Sequence, residues 1–106
     1  MKMKAIFTSL AVASLLMAGN AMAVDMPADG KAKCGACHTI ETKKIGPAWK
    51  DVAAKYKGQK DAEKTLVEHI TKGGQFGWKM SNMPAKGMGA SDAQIAALAK
   101  FIMTLN

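Results

Sequence analysis

Cys34-Gly35-Ala36-Cys37-His38 is the stretch on which the rest of the chain turns. Two cysteines three apart, with a histidine directly after the second, form the attachment signature of c-type haem. On a helical turn residues i and i+3 share a face, so both sulfurs can point at one porphyrin edge and form thioethers with its vinyl groups. His38, four residues after Cys34, then falls under the iron as its proximal ligand. Gly35 and Ala36 are small and let the macrocycle lie close to the backbone.

Other uses of the pair are weaker. A thioredoxin-like redox pair needs a βαβ setting, and no strand-like run surrounds this one. Zinc normally takes four ligands, and the only other histidine is His69. A structural disulfide is open to an exported protein, but haem attachment uses both cysteines and leaves none to pair.

Outward from the motif, the N-terminal side reads as a leader. Met1-Lys2-Met3-Lys4 is a short basic head, Ala5 to Ala18 a mostly apolar run of 14 residues, and Gly19-Asn20-Ala21-Met22-Ala23 a small-residue cleavage site. This is the layout of a secretory signal peptide, and the run is short for the ~20 residues needed to span a bilayer. Residues 1–23 are therefore expected to be a cleaved signal peptide, with 24–106 as one exported domain, periplasmic and not inserted in the membrane after cleavage. A domain this short is marginal on a purely protein core. A covalently held haem supplies a large apolar body for a few helices to collapse around. The sequence shows no internal repeat, low-complexity tract or second-domain linker.

All 15 basic residues are lysine. Lys2 and Lys4 leave with the leader while all 8 acids lie after residue 23, so 13 lysines against 8 acids leave +5 on the mature polypeptide. A lysine-rich surface steers a protein towards acidic partners. Nucleic-acid binding usually brings arginine and interleaved aromatics; here the lysines are dispersed among helices, so no nucleic-acid partner is expected.

The periodicity predicts helices and no strands. Asp29 to Cys34 forms a short lead-in helix, and Gly46-Pro47 a turn. A helix opening at Pro47 or Ala48 ends near Tyr56, with Gly58 beyond it. Asp61 starts a third helix through about Lys72, with Leu66, Val67 and Ile70 on one side and Gly73-Gly74 as the stop. Ser91 and Gln94 form a capping box for the last helix, whose apolar residues Ile95, Leu98, Ile102 and Leu105 fall at helical spacing. The expected fold is all-α, about four helices wrapped round one haem.

Between the third and last helices, residues 73–90 hold glycines 73, 74, 77, 87 and 89, Trp78, three methionines and Pro84. A segment this long without a regular element usually has a function. The function suggested by the motif is a sixth iron ligand, and Met/His ligation raises the reduction potential. Candidates are Met80, Met83, Met88 and His69. Methionine is commonly core filler, but Pro84 biases Met83 towards an extended backbone that can hold its thioether at a fixed depth, so Met83 is the choice. Met103 is expected to pack within the last helix. His69, between Glu68 and Ile70, reads as a partly exposed histidine on a polar helix face.

The Cys34–His38 motif, Ile45-Gly46-Pro47-Ala48, Asp51-Val52-Ala53-Ala54-Lys55-Tyr56 and Trp78…Met83-Pro84 together resemble class I cytochromes c, of the small bacterial monohaem type, over nearly the whole mature chain. The resemblance implies a monohaem periplasmic electron carrier of four to five helices. It also implies that Pro47 offers its carbonyl to the ring N–H of His38, that Trp78 reaches a haem propionate, and that Met83 is the axial methionine. In that family the first helix usually carries a glycine followed by an aromatic that packs on the last helix. Here Gly30 is followed by Lys31, Ala32 and Lys33, so the usual packing on Leu98 and Phe101 is not expected. His69 stands where relatives tend to place an arginine or lysine, and Lys86 where an asparagine often follows the Met-Pro pair.

The function expected is one-electron transfer by a single haem c, held through Cys34 and Cys37 and ligated by His38 and Met83, in a monomer that is not an enzyme. No paired carboxylates, nucleophile–base set or phosphate loop is present. Redox proteins with acidic docking surfaces are the expected partners, oriented by Lys33, Lys43, Lys79 and Lys86. The alternatives are a haem protein with an open sixth position, gas-binding or peroxidase-like, and a non-haem thiol or zinc module.

Overall fold

The computed structural model describes residues 24–105, so the expected signal peptide, residues 1–23, lies outside the described residues. Four helices follow in order: α1 (Ala28–Cys34), α2 (Trp49–Tyr56), α3 (Ala62–Lys72) and α4 (Asp92–Met103). Each begins or ends on a residue with a physical reason to be there. Pro27 precedes α1 and its carbonyl accepts the N–H of Lys31 at 3.0 Å. Asp29 in the first turn and Lys31 and Lys33 in the last complement the helix dipole. α2 opens from extended Ala48 and buries Trp49, Val52, Ala53 and Tyr56, the i, i+3, i+4, i+7 stripe of an amphipathic helix. It ends where Gly58 turns the chain at φ 78°.

α3 starts from Asp61, which sits in the left-handed region at φ 60° and makes no side-chain cap. It stops at Gly73, which must be glycine on two counts. Its φ is 74°, and an added Cβ would lie 2.5 Å from the carbonyl oxygen of Met83. The Ser91–Gln94 capping box at the start of α4 is fully formed: Gln94 N–H donates to Ser91 Oγ at 3.2 Å and Ser91 N–H to Gln94 Oε1 at 2.9 Å.

α4 is the hub, packing on each of the other three helices. Ile95, Leu98, Ala99 and Ile102 form its buried face. Leu105 lies beyond the helix end yet still packs partly buried against the core, as does Met103. The core gathers Met26, Ile40, Trp49, Val52, Tyr56 and Leu66 around Leu98, Ala99 and Ile102. Contrary to the sequence expectation, α1 does reach Leu98. Gly30 is buried, and a Cβ there would lie 2.8 Å from Met26, 3.0 Å from Trp49 and 3.3 Å from Leu98, so the missing side chain lets the helices approach. The edge of Trp49, 6.0 Å from Phe101 between ring centroids, supplies the aromatic contact with α4 that α1 lacks.

Among the described residues there is no strand. The one extended pairing is an antiparallel bridge between Gly74 and Met83, each N–H donating to the other's carbonyl at 2.9 Å. Periodicity carries no sign of a single bridge inside a glycine-rich loop. Among the described residues no helix is long and apolar enough to cross a membrane.

Candidate functional site: an apolar cleft closed by the methionine loop

α1 ends at Cys34, and the chain turns over Gly35 and Ala36 so that the N–H groups of both Cys37 and His38 donate to the Cys34 carbonyl at 3.0 Å. This turn sets Cys34, Cys37 and His38, all half-buried, along one wall of a cleft. Val52 and Tyr56 of α2, and Leu66, His69 and Ile70 of α3, form further walls. The loop closes it with Phe76, Trp78, Met80, Met83 and Met88.

The imidazole of His38 is held from several directions. Its Nδ1–H donates to the Pro47 carbonyl at 2.8 Å, which leaves Nε2 as the free lone pair. Gly46 lies so close that a Cβ there would be 2.5 Å from His38 Cε1, and the Gly46 N–H donates to the Cys37 carbonyl at 2.8 Å. Trp49 approaches with its ring centroid 6.1 Å away and tilted by 37°. Burial lowers the pKa of His38 and the Pro47 hydrogen bond only partly offsets it, so the neutral, ligating form is favoured. Burial, and then the charge of Cys37, raise the Cys34 thiol.

On the loop side, the three candidate methionines all border the cleft but differ in their settings. Met83 is half-buried and its backbone is fixed by the two hydrogen bonds to Gly74. Met80 is half-buried, its carbonyl accepting the Gln75 side-chain amide at 2.8 Å. Met88 is 64% exposed, although its N–H ties the loop to α1 through the Lys33 carbonyl at 3.0 Å. Trp78 is half-buried at the rim under the ammonium of Lys55, 4.5 Å from the ring centroid.

His69 is partly exposed, as read from the sequence, but it also makes contacts the sequence did not show: it stacks on Phe76 at 3.8 Å with the rings 8° from parallel, and its Nδ1 lies 3.4 Å from the Tyr56 hydroxyl. Leu66 and Ile70 lie four apart on the side facing the cleft, and His69, one position before Ile70, borders the same cleft. Gly46, Phe76 and Lys55 were not singled out from sequence either. Gly46 reads as an ordinary turn residue and Lys55 as a solvated lysine, and only the folded chain brings them to the site.

The residues present suit a covalently attached haem. Two thiols at motif spacing, a neutral imidazole with its second nitrogen fixed, thioethers across the cleft and walls of aliphatic and aromatic side chains make a donor set of the right softness. Zinc suits them less well, since among the described residues no three of His, Cys, Asp and Glu are arranged to hold one metal ion.

Comparison with known proteins agrees. The cytochrome c family model matches residues 20–106. The chain is 43% identical to cytochrome c-551 of Pseudomonas aeruginosa over 105 residues, covering 98% of each. It is 46% identical to cytochrome c-552 of Nitrosomonas europaea over 98 residues, 92% of each. The crystal structure of wild-type Nitrosomonas europaea cytochrome c552 superposes with a TM-score of 0.68 at 43% identity, covering 74% of this chain and 96% of that one. The chain belongs to the cytochrome c family. It is a small all-α haem c electron carrier rather than an enzyme, and Cys34 and Cys37 are its attachment pair.

Proposed function

We propose that this protein is a periplasmic one-electron shuttle, exported by residues 1–23 and functioning as residues 24–106, in which His38 and Met83 would hold the haem iron and acidic redox proteins would be donor and acceptor. When bound, haem supplies one-electron chemistry by cycling between ferric and ferrous iron. Cys34 and Cys37 would hold it through their sulfurs. The observation that carries the reading is the fixed imidazole: with Nδ1–H committed to Pro47 at 2.8 Å, His38 can offer only Nε2, in one orientation. The bridge to Gly74 supports Met83 as the opposite ligand, because a pinned backbone limits the thioether's reach.

The other side chains tune rather than react. Val52, Leu66, Ile70 and Ile102 line the cleft with hydrocarbon and exclude water, which favours the less charged ferrous state. Trp78, half-buried and lining the cleft, would offer its indole N–H to a haem carboxylate.

Absorption spectra of the purified holoprotein and of Met83→Ala test the ligand set. A low-spin c-type spectrum with a far-red sulfur–iron band that disappears in the variant is expected. Survival of the band would transfer the role to Met80 or Met88, and a high-spin parent that binds carbon monoxide readily would replace the carrier with an open-site haem protein.

Docking is read from charge and position. Ile45 and Met88, 51% and 64% exposed, mark an apolar mouth to the cleft. Lys33 lines the cleft beside them, while Lys43, Lys79 and Lys86 are exposed in the adjoining loops. Reversing the charge of these four lysines should slow oxidation by an acidic partner by at least about tenfold at low salt and little at high salt. Equal rates at low salt would remove the patch.

A further inference from the structure

We propose that Lys55 is a positioning residue that fastens the methionine loop to α2 and thereby sets how readily the loop lifts from the cleft. The inference rests on the reading that a loop methionine covers the sixth position. Lys55 stands in the last turn of α2 and its ammonium meets the loop twice. It donates to the Phe76 carbonyl at 3.2 Å and sits over the face of Trp78, 4.5 Å from the ring centroid. The ring of Tyr56, 5.8 Å away, adds a more distant aromatic face on its own helix.

The turn it holds is one that would not persist unaided. Phe76 is in the left-handed region at φ 55° and Gly77 follows at φ 82°, so a residue with a Cβ is kept where L side chains are disfavoured. Such geometry persists when its surroundings over-determine it, and here they do so from two elements. His69 of α3 stacks on the Phe76 ring while Lys55 of α2 takes the Phe76 carbonyl. Around that turn the same loop pairs Gly74 with Met83, so release of the Phe76 turn loosens the segment that presents the thioethers. A cation over an indole and a charge-assisted hydrogen bond are each modest at an exposed site, but together they are worth about tenfold in a local opening equilibrium.

The holoprotein, Lys55→Gln, Lys55→Arg and the charge control Lys57→Gln are compared by three measurements. These are the rate at which added imidazole enters the ferric haem, the amide hydrogen exchange of Gly77 and Trp78, and the exchange of α4 amides as a measure of global opening. Lys55→Gln should raise imidazole entry and loop exchange roughly fivefold to tenfold with α4 exchange unchanged. Lys55→Arg should stay within about twofold of the parent, and Lys57→Gln should match it. Equal behaviour of Lys55→Gln and Lys57→Gln overturns the proposal, as does a uniform rise that includes α4. The comparison of Lys55→Gln with its parent reads loop exchange at the backbone whichever group ligates the iron, so a failed methionine reading in Met83→Ala is told apart from a failed clamp.

Discussion

At the scale of single residues, the site is shaped as much by what is missing as by what is present. Gly46 has no side chain because His38 Cε1 would lie 2.5 Å from its Cβ, and the imidazole is itself tied to Pro47 and cannot retreat. Gly46→Ala should therefore destabilise the holoprotein by about 1–3 kcal/mol, the usual cost of overpacking, seen as a lower denaturant midpoint. It should also shift the absorption spectrum, because the ring must tilt away from the Pro47 carbonyl. An unchanged spectrum would mean that the backbone absorbs the methyl instead. Cys34, Cys37 and His38 were legible from the chain alone because their chemistry depends on local spacing. Gly46 was not, because its neighbour His38 comes eight residues earlier and meets it only after the intervening loop closes.

At the scale of elements, helix ends follow local rules closely. Gly58 and Gly73 lie one or two positions past the ends of α2 and α3, where the sequence placed them, since a positive φ is cheap for glycine. The capping box of α4 is present in full. Ser91→Ala removes the acceptor for the Gln94 N–H and should cost about 1 kcal/mol, read as a lowered unfolding midpoint with the haem spectrum unaltered. Because α4 contacts all three other helices, that loss should be felt globally and not as fraying of one end. The loop between α3 and α4 is the element whose structure was least legible. Its register depends on the Gly74–Met83 bridge, a pairing nine residues apart that no periodicity marks, and on side chains of α2 and α3 that lie outside the loop.

For the whole molecule, the cleft is the organising feature. Val52, Tyr56, Leu66 and Ile70 come from different helices and border the same cleft, so a large share of the apolar surface is arranged to face haem. A chain of this length has little other core to rely on. Replacing both Cys34 and Cys37 with alanine, so that haem is no longer attached, should leave a protein with little fixed tertiary structure. Near-ultraviolet circular dichroism should collapse, with weakened helix signal, at temperatures where the holoprotein is folded. Native-like spectra without haem would show that the α4-centred core suffices.

The sequence alone determined that this is an all-α, covalently attached haem protein of the cytochrome c family, because the motif, the helical periodicity and the Gly and Pro punctuation are all read over a few neighbouring residues. Only the tertiary structure decided that Gly46 and Trp49 close on the imidazole, that Gly30 brings α1 against Leu98, and that His69 stacks on Phe76. Those facts depend on contacts between residues distant along the chain, where packing and the close approach of backbones override what local propensity favours.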